Sequence, residues 1–381
     1  MVKQQLFATG PRPRYETPVP DFYDPSKIDQ IFSPDMMALH RNAPIWAKQH
    51  GIRNAATDAT SGLKIGFVGI DIQLTFVFEM LRQLFVEGSP KDCLRTAEFI
   101  YRNLGLITRT FFTLDTHDEW QVFHPPFAQD ANGNPPTPGV PISDEDIQSG
   151  KWRVNPAASF AHFHVPNLPK VKNHLRYYSG QLEARNEKAK QAGTLESFGG
   201  VYPYIPWPFH SMLGDIGHAI SPLVHEAALF HSLVRGSKVF RSVKGTEWGD
   251  ESYSPFGGEV GKDCEGKPMG QKNIDLFKTL QWYDVLILAG QAKSHCVRAF
   301  IADLLGFIRQ YAPHMVENVY LVEDLTSPVV IRNEKGEVVV DFTESANQSF
   351  EAFRGEGMHV VKSIDPLHTW GGKLAQLATL A

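Results

Sequence analysis

Six short apolar runs, at about 64–70, 107–114, 238–243, 284–289, 318–324 and 358–362, alternate with stretches of helical periodicity at about 74–86, 90–104, 221–234, 272–281, 294–310 and 344–354. Parallel strands need a crossover between them, and a crossover helix covers a face of the sheet, so this alternation predicts a parallel sheet clad on both sides. The expected fold class is α/β, with a mostly parallel sheet between two helical layers. Sheets of this kind gather ligands at the carboxyl ends of their strands. The residues that end each run are therefore where chemistry is expected.

Three runs end on reactive side chains. KIGFVGIDIQLTF reaches Asp71 as its apolar stretch stops, and VFRSVKGTEWGDESYSPF does the same at Lys244-Gly245. In VLILAGQAKSHCVRAF a strand ends at Ala289-Gly290 and a helical pattern restarts around Cys296. A thiol becomes a good nucleophile as the thiolate, and the unpaired N–H groups and positive dipole end at a helix start favour that anion. A buried, inert cysteine is the competing reading for Cys296, as a turn cap is for Asp71 and a solvated charge for Lys244. Cys93, on a predicted amphipathic helix, and Cys264, in a Gly-rich loop, lack this setting, and three cysteines are too few for a disulfide framework.

Together these segments resemble the isochorismatase-like cysteine hydrolases, and within them the nicotinamidases. That family's D-x-Q-x-x-F reads as Asp71, Gln73 and Phe76, and its K-G followed by E-x-Y-S-x-F as Lys244, Gly245, Glu251, Tyr253, Ser254 and Phe256. Its G-x-A-x-x-x-C-V reads as Gly290, Ala292, Cys296 and Val297. TFFTLDTHDEW adds Asp115 and His117, and IPWPFHSMLGDIGH adds His210 within W-P-x-H. Residues two apart on an extended strand end face the same way, so Asp115 and His117 can hold one ion together, with His210 closing the set. His124, in the following HPPF, is a further candidate ligand or a wall of the site. One carboxylate and two imidazoles suit a single divalent metal, zinc first, with iron or manganese as alternatives.

The resemblance implies a mechanism. Asp71 takes the Cys296 proton, Lys244 serves as a fixed cation, and the backbone N–H groups of Ala292 and Cys296 hold the oxyanion beside a cis peptide between Gln291 and Ala292. Phe76, Trp207 and Tyr253 match positions that wall a flat ring, so the implied substrate is nicotinamide, hydrolysed to nicotinate and ammonia. Leu74-Thr75 stands where relatives carry Asn and Asp, and Ser211 replaces a Cys after W-P-x-H, which opens the substrate's identity. A cysteine amidase for another small amide is one alternative. A non-heme iron oxygenase built on Asp115, His117 and His210 is another, but it leaves Cys296 and Lys244 without a task.

With 381 residues, 42% hydrophobic, 21% charged and a formal charge of −5, the composition is that of a globular enzyme and gives no reason to expect nucleic acid or an anionic membrane as partner. No unbroken apolar stretch reaches spanning length, so a cytoplasmic protein is expected, as is a homo-oligomer. Residues 1–62 read as a Pro-rich arm with one short helix near 34–50, and 63–381 as the hydrolase domain. Within the domain, about 128–200 reads as an insertion, a lid or an oligomer contact, that opens with the loop DANGNPPTPGVPISDED.

Overall fold

A computed structural model describes residues 13–58, 62–192, 202–270, 272–333 and 335–380. The portions of the expected arm at 1–12 and 59–61, and of the insertion at 193–200, lie outside these. Six strands form the central sheet: β1 (Ile65–Ile70), β2 (Ile107–Asp115), β3 (Phe240–Lys244), β4 (Val285–Gly290), β5 (Val319–Val322) and β6 (His359–Val361). Their order is β6-β5-β4-β1-β2-β3, and every neighbouring pair is parallel. The chain thus builds outward from β1 through β2 to β3, then returns to lay β4 on the other side of β1. The junction of β1 and β4 is the topological switch point, where open α/β sheets leave a crevice for ligands.

Strand alternation divides the core into two. Ile65 and Phe67 of β1, with Val285, Ile287 and Ala289 of β4, pack under α1 (Met36–Gln49), α2 (Ser89–Arg102) and α4 (Pro222–Arg235). Val68, Ile70, Leu286 and Leu288 point the other way, under α5 (Ile274–Gln281), α6 (Cys296–Tyr311) and α7 (Thr343–Gly355). The helices start where sequence chemistry allows. Asp35 accepts from the N–H groups of Met37 and Ala38 at the start of α1, and Gly236 ends α4 with the left-handed φ of 62° that favours glycine there.

Two expected elements are shorter than their patterns suggest. The helix expected over 74–86 stops at Val77, followed by an extended Phe78 and a left-handed Arg82. Leu74, Thr75, Phe76 and Val77 are all buried, so no solvated face remains for an amphipathic helix. The Phe76 carbonyl instead accepts from the Val86 N–H at 2.9 Å and the Ser89 hydroxyl at 2.8 Å, folding the chain back. The strand expected to reach 324 ends at Val322, and Asp324 accepts from the N–H and hydroxyl of Ser363 at 2.7 and 2.8 Å.

The described part of residues 13–58 lies along its own domain: Glu16 pairs with Arg102 at 2.7 Å, the Tyr15 hydroxyl meets His368 at 2.8 Å, and α1 packs on α4. The inserted region is not a surface loop. Its long helix α3 (Pro169–Ala192) buries Val171, Leu175, Tyr178 and Leu182 in the same core as α5 and α6. Each such side chain contributes roughly 1.5–3 kcal/mol of burial. No helix among the described residues is long and apolar enough to cross a membrane.

Candidate active site

Register brings the reactive residues to one end of the sheet. Ile70 lies opposite Gly290, and Asp115 opposite Lys244. Asp71 follows β1 with a left-handed φ of 46°. Thr113 fixes it twice, accepting its N–H at 3.0 Å and donating its hydroxyl to Oδ1. From Gly290 the chain passes a cis peptide between Gln291 and Ala292 and reaches Cys296 at the first turn of α6. Neither the Ala292 nor the Cys296 N–H has an acceptor among the described residues, whereas the Ala292 carbonyl accepts from Val297 at 3.1 Å.

Lys244 ties the cluster together. Its Nζ lies 2.9 Å from Asp71 Oδ2, 2.7 Å from Asp115 Oδ1, 3.0 Å from the Ser252 carbonyl and 3.7 Å from Cys296 Sγ. All four side chains are buried. Burial would push the ammonium down, but the Asp115 and Asp71 carboxylates outweigh it and hold Lys244 charged, well above its ordinary value. Burial raises Asp71, with the Lys244 ammonium opposing it, and raises the Cys296 thiol well above the usual range. The resting sulfur is therefore protonated beside a carboxylate of increased basicity, the arrangement a proton transfer needs.

A second group adjoins the first through Asp115. One oxygen or nitrogen from each of Asp115, His117 and His210 falls within 4.8 Å of the others, and all three residues are buried. Main-chain pairing delivers His210 from its distant loop: the His117 N–H donates to the Ser211 carbonyl at 3.1 Å, and the Leu213 N–H to the His117 carbonyl at 3.0 Å. Gln73 positions Asp115, its side-chain amide exchanging hydrogen bonds with the Asp115 N–H and C=O, both at 2.8 Å.

The imidazoles test whether a cation fits. His117 Nδ1 lies 3.0 Å from the Gly245 carbonyl and His210 Nδ1 2.7 Å from the Pro208 carbonyl, so each Nδ1 carries the donating hydrogen. Each ring then turns Nε2 toward Asp115 Oδ2, at 2.8 and 3.3 Å. Two lone-pair nitrogens aimed at a carboxylate oxygen are mutually repulsive unless a proton or a metal ion lies among them, and Nδ1 bonded to a carbonyl is the usual support of a metal-binding histidine. The donor set fits a divalent ion. His124 stands outside this set: its ring centroid is 5.6 Å from that of His117, its Nδ1 contacts the Asp118 carbonyl, and its Nε2 is buried without a partner.

Between the two groups lies a narrow cleft lined by Cys296, Ala292, His295, Asp115, His210, Glu251, Phe76, Trp207 and Tyr253, with Leu84, Val86 and Val329. The three aromatics expected from sequence all line it, and Trp207 Nε1 donates to the Tyr253 hydroxyl at 2.8 Å. Glu251 carries no assigned role in the sequence motif, yet it is a second buried acid of the wall beside Asp115. Its Oε1 accepts the Ser252 N–H at 2.8 Å, its Oε2 has no partner, and burial, partly offset by His117, pushes its carboxyl up to about 7. The E-x-Y-S-x-F match that contains Glu251 is the available signal. Thr113, the direct partner of Asp71, had none beyond its position in a strand.

No family model and no curated protein matches the chain. Among solved structures it is similar to the nicotinamidase-pyrazinamidase of Acinetobacter baumanii, at 13% identity over 79% of this chain and 97% of that one, with a TM-score of 0.44. The yeast nicotinamidase gives 14% over 78% and 99%, with a TM-score of 0.44. The Pyrococcus horikoshii pyrazinamidase, solved in complex with zinc, gives 15% over 78% and 99%, with a TM-score of 0.41. Its structural neighbours are nicotinamidases and isochorismatase-like hydrolases.

Proposed function

We propose that the protein is a metal-dependent cysteine amidohydrolase that converts nicotinamide to nicotinate and ammonia through a Cys296 thioester. The observation that carries this reading is one ammonium, Lys244, held between Asp71 and Asp115 and 3.7 Å from a thiol at a helix start. It joins the nucleophile's base to the candidate metal group in a single cleft.

Asp71 accepts the proton of Cys296 Sγ as the sulfur attacks the amide carbon, and the carbonyl electron pair moves onto oxygen. The N–H groups of Ala292 and Cys296, which have no acceptor among the described residues, receive that oxyanion. Asp71 then returns the proton to the amide nitrogen, the C–N bond breaks, and ammonia leaves a thioester. Asp71 next takes a proton from water as the water oxygen attacks the thioester carbon, and gives that proton to sulfur as the C–S bond breaks, which releases the acid and restores both the free thiol and the Asp71 carboxylate. Lys244 keeps its proton throughout and stabilises the negative charge that moves among Asp71, sulfur and oxygen. Asp115, His117 and His210 would hold the metal, whose chemistry is to bind and orient a ring nitrogen. Phe76, Trp207 and Tyr253 hold the ring flat and exclude water.

The Asp115, His117 and His210 set alone would also suit a non-heme iron oxygenase. Its carboxylate is bound to the ammonium that faces Cys296, which favours the hydrolytic reading. Ammonia release from nicotinamide, measured with and without a chelator, tests the proposal. Release that the chelator abolishes and added zinc, iron or manganese restores supports it. Release from other small amides but not from nicotinamide reassigns the substrate, and no release from any amide refutes the reading.

A further inference from the structure

Glu251 lines the cleft, and its Oε2 has no hydrogen-bond partner among the described residues, whereas every other polar group of the residue is fixed. Its side-chain Oε1 accepts from Ser252, its carbonyl accepts from the Glu259 N–H at 2.7 Å, and its own N–H donates to the Tyr178 hydroxyl at 3.3 Å. Two residues earlier, the Gly249 carbonyl accepts from His174 Nε2 at 2.6 Å. A carbonyl only accepts, so His174 Nε2 carries the hydrogen, and burial, which lowers this imidazole, keeps the ring neutral. Its fit against Gly249 is close: a Cβ there would stand 2.5 Å from that nitrogen.

His174 and Tyr178 are one turn apart on α3, and Arg185, further along the same helix, reaches Glu259 at 3.3 Å. Two side chains of α3 therefore hold the segment that runs from β3 through Gly249, Glu251 and Tyr253, and a third, Arg185, holds Glu259, whose N–H bonds the Glu251 carbonyl. We propose that α3 is the framework of the substrate cleft, with His174 and Tyr178 as positioning residues that set the main chain of 249–251 and so aim the Glu251 carboxyl at the ligand. This goes beyond a lid or an oligomer contact, and its kinetic consequence rests on the amidohydrolase reading above. The same segment supplies the Ser252 carbonyl to Lys244, so displacement of the loop is felt first by the ligand wall and next by the cation.

Tyr178→Phe removes one acceptor oxygen and leaves the buried ring. The test compares it with the wild-type protein in hydrogen exchange of the peptide spanning 248–254, in KM and kcat for nicotinamide, and in bound metal. The expected result is exchange at least tenfold faster at the Glu251 amide, a KM raised three- to tenfold, kcat within twofold, and unchanged metal. His174→Gln, which keeps a donor, should change KM less than His174→Leu. Unaltered exchange in Tyr178→Phe, or faster exchange with unchanged KM, would overturn the proposal. A wild-type protein that hydrolyses no amide would sink the functional reading, and the exchange comparison would then decide the brace by itself.

Discussion

Replacing Lys244 by Met keeps the volume of the side chain and removes only its charge and hydrogens. Four contacts disappear, at 2.7 Å to Asp115, 2.9 Å to Asp71, 3.0 Å to the Ser252 carbonyl and 3.7 Å to Cys296 Sγ. Asp115 retains the two imidazoles, but Asp71 is left buried with the neutral Thr113 hydroxyl and Cys296 thiol and no cation beside it. Stripping one partner from a buried ion pair costs about 3–5 kcal/mol, because the remaining charge can neither reach water nor find a counterion. Urea denaturation of metal-stripped wild-type and Lys244→Met proteins should show that loss, along with loss of amide hydrolysis. The loss should also depend on pH. In the variant the folded-state Asp71 carboxyl lies above its unfolded value, so stability is gained by protonation and declines as pH rises. The gap to wild type therefore narrows in acid, by at most about 1.4 kcal/mol per pH unit. Asp71→Asn in the same background should recover much of the stability without recovering activity. A loss below about 1 kcal/mol, or one independent of pH, would refute the picture of a cation clamped between two buried carboxylates.

Cys296→Ala should abolish ammonia release while the melting temperature and bound metal stay as in the wild type, and a residual wild-type rate would remove Cys296 from the chemistry. His210→Ala should lower the metal content measured by elemental analysis, and unchanged content would exclude it as a ligand. Gly290→Ala should lower both stability and turnover, because its Cβ would stand 2.0 Å from the Ile70 carbonyl oxygen and force β1 from β4 beside Asp71; normal expression and kinetics would contradict that. His231, buried against the Ile107 carbonyl far from the cleft, has its imidazole lowered by burial from 6.5 to about 4. The unfolded chain therefore binds the extra proton in that window, and wild-type stability should fall as pH drops from 6.5 to 4, while His231→Gln should lose this share of the slope.

The sequence made the sheet legible because each strand is a short apolar run bounded by polar or glycine residues, and the residues ending β1, β2, β3 and β4 carried their chemistry openly. Asp71, Lys244 and Cys296 were each visible singly, but their meeting depends on strand order, which no local pattern encodes. The helix expected after Asp71 failed because periodicity reports an amphipathic face, and at Leu74–Val77 tertiary contacts bury every side. The region 128–200 reads from sequence as a lid or an oligomer contact, because it opens with a polar, Pro-rich loop. The residues that tie it to the core, Val171, His174, Tyr178 and Leu182, are spread along a charged helix whose mean character hides them. Glu251 was passed over because an acid in a loop looks solvated until its neighbours are known.

The reacting groups hang from four adjacent strands, and none of them acquires its character alone. Before β4 docks on β1, Cys296 is an ordinary cysteine with neither Asp71 nor Lys244 in reach; the sulfur is sensitised only when the last of these ribbons seats. Only in the seated sheet does this buried, protonated thiol have a carboxylate and an ammonium within reach, so the means to activate it belongs to the joined strands and to none of them singly.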